Sequence, residues 1–155
     1  MNRQLRDITR LSCDQLVSKL QEALPKLLAG RPVTLAYLHG SSVREDTHPF
    51  SDVDIALVTD GPLAPKEQLR LILELQVDLA DRCEIGNLDV RVINAASIVF
   101  RGRVVTDGRL VYARSEDARV EFEVSTRLRY FDYLPTHREM QAVYFNRVRE
   151  RGLYG

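Results

Sequence analysis

The sequence predicts an α/β fold in which a small mixed sheet is flanked by helices, followed by a long C-terminal helical segment. Two observations favour this fold: short apolar runs of strand length alternate with longer amphipathic segments, and the alternation continues through most of the chain. The length of 155 residues and the hydrophobic content of 45% allow one domain with one sizeable core. We therefore expect a single domain over residues 1–155, with the helical segment at 115–151.

The first expected elements are a helix over residues 13–29 and a buried strand over Val33–Leu38. Apolar residues recur at helical spacing through the first segment, with Ser12 in position to cap its start and Gly30 to end it. Pro25 falls inside this pattern, so we expect it to kink the helix or to separate its last turn.

The remaining elements alternate in the same way. We expect a helical turn over 41–45, strands over 52–59, 88–93 and 109–113, and helices over 66–83 and 96–106. The helix over 66–83 is expected to face inward through Leu69, Ile72, Leu73, Leu79 and Ala80. From Ser115 onward the composition is helical, charged and aromatic, and we expect this segment to be interrupted at Pro135.

Composition excludes several functional classes. Lys+Arg and Asp+Glu both number 22, so there is no net basic field to attract nucleic acid. No apolar run approaches the roughly 18 residues that a membrane span needs. The first residues, MNRQLRDITRLS, lack the apolar region of a secretory signal. Cys13 and Cys83 form no CxxC motif and are expected to be reduced thiols. We therefore expect a cytoplasmic protein that binds neither membrane nor nucleic acid directly.

Three aspartates are the candidate catalytic and metal-binding residues. Asp52 and Asp54 begin the second strand on the same face, roughly 6–7 Å apart. Asp89 joins them if the third strand lies beside the second. Mg²⁺ prefers a few carboxylates together with phosphate oxygens and water. Asp54 stands among apolar residues, where burying a charged carboxylate is costly unless a partner such as a metal ion is present. Asp89 is also the candidate base that accepts the proton of an attacking hydroxyl.

The candidate nucleotide-binding residues are Gly40, Ser41 and Arg44. Glycine permits close backbone approach, and amides that open a helical turn point toward an anion. Alternatives remain for single residues: Asp52 as a cap at the strand entry, Asp89 as a strand-edge charge, and Arg44 as a solvated side chain. For His39 and His48, surface or hydrogen-bonded roles outweigh metal binding.

This arrangement of Gly-Ser, ten residues, Asp-x-Asp and a later single aspartate resembles the nucleotidyltransferase superfamily of the polymerase-beta type. The short length resembles its minimal branch, the MNT proteins. The segment LDVRVINAASIVFRGRVVTDGRLVYARSEDARVEFEVSTRLRYFDYLP is similar to the MntA-type antitoxins of HEPN/MNT toxin–antitoxin systems.

The resemblance implies an antitoxin that transfers AMP from ATP, with Mg²⁺, to tyrosine hydroxyls of a HEPN-domain ribonuclease toxin and so silences it. It implies that Gly40 and Ser41 hold the triphosphate and that the protein forms a hetero-oligomer with the toxin. Residues 115–151 are the expected partner-binding segment because aromatic and arginine side chains, which are favoured at interface hot spots, recur along it. The alternative for any single aromatic residue is that it packs the helix onto the sheet. The aromatic residues are Tyr130, Phe131, Tyr133, Tyr144 and Phe145. Two positions depart from the family pattern, His39 in place of an aromatic residue and Glu45 in place of a glycine. Two alternatives remain open: a non-catalytic antitoxin that blocks the toxin sterically, and a small-molecule nucleotidyltransferase of the aminoglycoside type.

Overall fold

The computed structural model of the chain describes residues 11–44 and 52–152. Within these ranges the elements follow the predicted order, and the features expected at Glu45 and His48 lie outside them. The elements are α1 (Cys13–Leu27), β1 (Val33–His39), α2 (Ser41–Arg44), β2 (Val53–Thr59), α3 (Pro65–Cys83), β3 (Leu88–Val92), α4 (Ile98–Asp107), β4 (Arg109–Ala113) and α5 (Glu116–Arg151).

The four strands form one mixed sheet in the order β3-β2-β1-β4. The β1 strand pairs antiparallel with β2 and with β4, whereas β2 and β3 are parallel. The parallel pair needs a crossover connection, which α3 provides. The predicted mixed sheet is confirmed.

Helices cover both faces of the sheet. On one face, α1 and α3 pack against Leu38, Ile55 and Leu57 in the larger core. On the other face, α4 and α5 cover Tyr37, Ala56 and further residues of a smaller core. Because β-strand side chains alternate between the faces, the odd-numbered residues of β1 from Leu35 onward and the even-numbered residues of β2 belong to the second face. Val33 precedes an irregularity in the pairing with β2 and packs in the larger core.

The α1 helix begins as the sequence predicts and continues beyond its proline. The Ser12 hydroxyl accepts a hydrogen bond from the Gln15 amide at 3.2 Å, and the Gln15 side chain accepts one from the Ser12 amide at 2.9 Å. This capping box satisfies two of the free amides at the helix start. The expectation that Pro25 separates the last turn is wrong, because the helix runs to Leu27. Pro25 is exposed, so water can reach the carbonyl that its missing N–H leaves free.

The predicted inward face of α3 is wrong for two of its five residues, since Ile72 packs against the larger core and Ala80 is partly buried. Leu79 is buried as expected, but Leu69 and Leu73 are 57% and 52% exposed. The buried side chains are instead Leu71, Leu75, Leu79 and Cys83, at a strict spacing of four. Apolar residues occupy more than one stripe of this helix, so periodicity alone did not identify the stripe that meets the sheet.

The α5 helix is continuous from Glu116 to Arg151, so the expected interruption at Pro135 is also wrong. Its first half packs on α4 and the sheet through Glu123, Thr126 and Tyr130, whereas Pro135 lies on an exposed part. Water can replace the hydrogen bond that proline removes there, so the helix tolerates it. Across the described residues, no helix combines the length and apolar character needed to cross a membrane.

Candidate active site

The predicted site residues meet at one end of the sheet. Antiparallel pairing places Asp54, near the start of β2, opposite His39, the last residue of β1. Parallel pairing then places Asp89 beside Asp54 on the other side. Asp52 immediately precedes β2 at this end, and Gly40 immediately follows β1. The expectation that the third strand lies beside the second is therefore confirmed.

The Asp54 carboxyl occupies an unfavourable electrostatic environment. Partial burial raises its pKa above the ordinary aspartate value, and the negative charges of Asp89 and Asp52 raise it further. Arg91 and Arg44 oppose this effect. Asp52 and Asp89 therefore both lie close enough to Asp54 for their charges to act on its carboxyl.

Gly40 lies close against this carboxyl. Its φ of +76° lies in the left-handed region that glycine adopts freely. A Cβ atom at this position would overlap Oδ2 of Asp54 and lie 3.2 Å from its Cγ. Both the backbone conformation and the space therefore require glycine, which explains the residue type that the sequence singled out.

The short α2 helix continues directly from Gly40. The Val43 amide donates to the Gly40 carbonyl at 3.2 Å, closing the turn that carries Ser41 and Arg44. Ser41 is partly buried and Arg44 is exposed. Because the charge of Arg44 lowers the pKa of both Asp54 and His39, this arginine lies on the site side of the turn.

His39 forms the inner wall of the site. Its ring packs edge-on against Phe100 of α4, with centroids 5.6 Å apart and an interplanar angle of 89°. Burial lowers its pKa, and the nearby Arg91 lowers it further, so the imidazole is neutral at neutral pH. Its Nε2 atom is buried and finds no hydrogen-bond partner among the described residues. The apolar contact explains how histidine fills a position where the resemblance leads one to expect an aromatic residue.

The aspartates do not form a closed metal centre by themselves. Within residues 11–44 and 52–152, no three Asp, Glu, His or Cys side chains converge closely enough to hold an ion. Magnesium, however, is usually bound through one or two carboxylates plus substrate phosphates and water. The raised pKa of Asp54 marks a carboxylate that a divalent cation would stabilise. The residues therefore fit magnesium if phosphate oxygens complete its coordination.

Arg91 is a further charged residue of this site, and no role was predicted for it. Its Nε donates to Oδ2 of Asp89 at 2.9 Å, and its Nη2 lies 2.9 Å from the same oxygen. The sequence does place the two residues on one strand face, two positions apart. That spacing made the position of Arg91 on the same face as Asp89 predictable, although not the ion pair itself.

The fold and the position of these residues define the class of protein. A four-stranded mixed sheet flanked by helices, with a glycine turn and aspartates at one end, is the architecture of polymerase-beta-type nucleotidyltransferases. The sequence profile described as "Polymerase beta, Nucleotidyltransferase" matches residues 19–117, which is more than half of the chain. The chain belongs to this family. No curated protein sequence gives a significant match.

Several solved structures share the fold. A toxin–antitoxin structure with AMP-PNP is 24% identical, covers 88% of this chain and 98% of its own, and has a TM-score of 0.57. A structure of a tri-AMPylated Shewanella oneidensis HEPN toxin in complex with an MNT antitoxin is 23% identical, with coverages of 84% and 97% and a TM-score of 0.58. A structure of the toxin–antitoxin MntA-HepT is 24% identical, with coverages of 82% and 95% and a TM-score of 0.57. At these identities the matches establish the fold.

Proposed function

We propose that this protein is an antitoxin that transfers AMP from ATP to tyrosine hydroxyls of a cognate HEPN ribonuclease toxin, neutralising it. The observation that carries the proposal is the convergence of Gly40, Asp54 and Asp89 at one sheet end in a member of the nucleotidyltransferase family. The shared fold with an MNT antitoxin that accompanies an AMPylated HEPN toxin supports this acceptor.

In the proposed site, the turn after β1 binds the triphosphate. The backbone of Gly40 comes close to the ligand, Ser41 donates its hydroxyl, and Arg44 contributes a positive charge. Asp52 and Asp54 hold magnesium, and Asp89 completes the carboxylate set. When bound, magnesium supplies charge neutralisation for the triphosphate and for the leaving pyrophosphate.

The transfer replaces one P–O bond by another. The tyrosine oxygen bonds to the α-phosphorus of ATP, the bond from that phosphorus to the bridging oxygen breaks, and pyrophosphate leaves. The tyrosine proton passes to the Asp89 carboxylate. No covalent nucleophile of the protein is needed, because positioning and charge neutralisation supply most of the rate enhancement of such transfers.

The α5 helix is the proposed toxin-binding segment, covering residues 115–151. Over its first half, Val120, Val124, Leu128 and Phe131 are exposed at spacings of four, four and three, which forms a stripe pointing away from the sheet. The second half exposes Met140, Val143, Tyr144 and Phe145. Aromatic and aliphatic side chains of this kind are typical of the buried centre of protein interfaces.

The test uses the product of the neighbouring gene, provided that it carries the Arg and His motif of HEPN ribonucleases. The two purified proteins are incubated with ATP and Mg²⁺, and the toxin is weighed by mass spectrometry. We expect AMP-sized mass increments on toxin tyrosines, with loss of RNase activity. Asp54→Asn is expected to abolish the increments, and Asp89→Asn to slow them by roughly 10²–10⁴-fold as for loss of a general base.

The matched control is Asp60→Asn. Asp60 lies just after the far end of β2, where its exposed carboxylate pairs with Arg114 at 2.9 Å. This variant is expected to modify the toxin at the wild-type rate. Absence of any mass increment with the wild-type protein would refute the transfer. If an Asp52→Asn/Asp54→Asn variant neutralised the toxin as well as the wild type at equal abundance, the steric antitoxin would be the correct function.

A further inference from the structure

The guanidinium group of Arg91 places a positive charge beside the three carboxylates. Arg91 directs both Nε and Nη2 to one oxygen of Asp89, at 2.9 Å each. Asp89 is the residue to which the proposed function assigns the acceptor proton. In the structure its Oδ2 atom therefore already accepts a hydrogen bond from Nε and lies in ion-pair contact with Nη2.

The charge of Arg91 acts on the whole site and not only on Asp89. It opposes the raised pKa of Asp54 and contributes to the lowered pKa of His39. Its backbone pairs in register with Ala56, the next residue after Asp54 on the same face of β2. The guanidinium consequently partly neutralises a cluster that contains three negative charges.

The ion pair between Arg91 and Asp89 is weak enough for Arg91 to exchange Asp89 for another acceptor. The Arg91 side chain is 61% exposed and that of Asp89 is 32% exposed. Exposed ion pairs contribute little stability, because water competes for both groups. Moreover, the recorded contacts converge on a single carboxylate oxygen, whereas the strongest arginine pairs use two parallel bonds to two oxygens. A triphosphate offers such paired oxygens with a higher negative charge.

We propose that Arg91 neutralises Asp89 while nucleotide is absent and transfers its hydrogen bonds to a phosphate group of the bound nucleotide. The transfer releases Asp89 to complete the metal site and to accept the proton. This inference rests on the proposed function, since it assumes that the carboxylates bind a metal–nucleotide complex. It predicts that a divalent cation alone competes with Arg91 and binds weakly, and that nucleotide and cation bind tightly together.

The test measures Mn²⁺ affinity by electron paramagnetic resonance of the free ion, without nucleotide and with AMP-PNP. We expect Arg91→Gln to bind Mn²⁺ alone roughly two- to fivefold more tightly than the wild type, the scale of one partly exposed ion pair. The same variant is expected to bind Mn²⁺–AMP-PNP more weakly than the wild type. Arg91→Lys keeps the charge but loses the planar fork, so its nucleotide affinity should fall between the two.

The matched control is Arg114→Gln, which removes an equally short ion pair with Asp60 at the opposite end of β2. It is expected to leave both affinities unchanged. A variant Arg91→Gln that binds Mn²⁺ no more tightly than the wild type would overturn the inference, as would a parallel fall of both affinities, the sign of a purely structural role.

The two proposals fail in different ways. If the wild type binds Mn²⁺–AMP-PNP, Asp54→Asn does not, and Arg91→Gln behaves as the wild type, only the role of Arg91 is refuted. If the wild type binds no Mn²⁺ even with AMP-PNP, the metal–nucleotide site of the proposed function is refuted, and the inference about Arg91 with it.

Discussion

Replacing Gly40 by alanine separates the two physical reasons for a glycine at the end of β1. The first is the backbone, since a non-glycine residue in the left-handed region costs about 1–2 kcal/mol and Gly40 has a φ of +76°. The second is space, because the new methyl group would overlap Oδ2 of Asp54. A carboxylate is the end of a side chain and can rotate away, so this overlap should displace Asp54 more than it destabilises the fold.

Gly61 provides the matched control. It has a φ of +82°, and a Cβ atom there would have no neighbour within 4 Å. We therefore expect Gly40→Ala and Gly61→Ala to lower the free energy of unfolding by similar amounts, about 1–2 kcal/mol each for the left-handed backbone. Only Gly40→Ala should lose the binding of Mn²⁺–AMP-PNP and the modification of the toxin.

The assays are urea denaturation for stability and titration with Mn²⁺–AMP-PNP for binding. An unchanged dependence of the unfolding free energy on urea would confirm that the compactness of the folded state is preserved. The reasoning is refuted if Gly40→Ala binds the nucleotide like the wild type, since the close approach to Asp54 would then have no functional consequence. It is equally refuted if Gly61→Ala loses binding to the same extent.

Three further predictions test the fold and the charges. Tyr37→Phe removes the 3.0 Å hydrogen bond to the buried Glu123 carboxylate. It should lower the free energy of unfolding, measured by urea denaturation, by about 1.5–3 kcal/mol. A variant as stable as the wild type would show that this bond does not stabilise the fold. Leu75→Ala should lower the free energy of unfolding by about 2–5 kcal/mol, whereas Leu73→Ala should lower it by about 0.5 kcal/mol or less. If Leu73→Ala were the more destabilising, the inward face of α3 predicted from the sequence would be correct. Because the Asp54 pKa is raised in the folded state, its contribution to stability is present below the ordinary aspartate pKa and is lost as the pH rises through the raised value. In metal-free buffer, Asp54→Asn should therefore gain stability relative to the wild type between acid and neutral pH, and a constant difference would show that the Asp54 pKa is not raised.

The sequence predicted the placement of most candidate site residues because its determinants are local. The polar residue Asp54 within an apolar strand, and a glycine directly after another strand, are visible without knowledge of the sheet. Only one non-local assumption was needed, that β3 lies beside β2, and the register of Asp54 with Asp89 confirms it. The position of Arg91 was equally visible, but its ion pair depends on the side-chain conformation, which the spacing of residues does not specify.

The helices were harder to predict because their environment decides their details. Leu69, Leu71, Leu73 and Leu75 place leucines on more than one stripe of α3, and only contact with the sheet and α1 determines that Leu71 and Leu75 are buried. Pro135 breaks no helix because its surroundings are solvent. Local preference is the same in both environments, so tertiary context must decide such cases.

The β1 strand, which Gly40 follows, also anchors the helix that we propose binds the toxin. Tyr37 of β1 donates to Glu123 of α5, and Glu123 also accepts from Arg119 at 2.9 Å. His39 of the same strand packs on Phe100 of α4, and α4 in turn packs along α5. These contacts connect the first half of α5 to the turn at Gly40. A toxin that docks on the exposed side of α5, a helix about 54 Å long, is thus held at a defined distance from Asp54 and Asp89. Since positioning of the acceptor is a large part of catalysis in such transfers, we expect variants that loosen the contact between Tyr37 and Glu123 to slow toxin modification more than nucleotide binding.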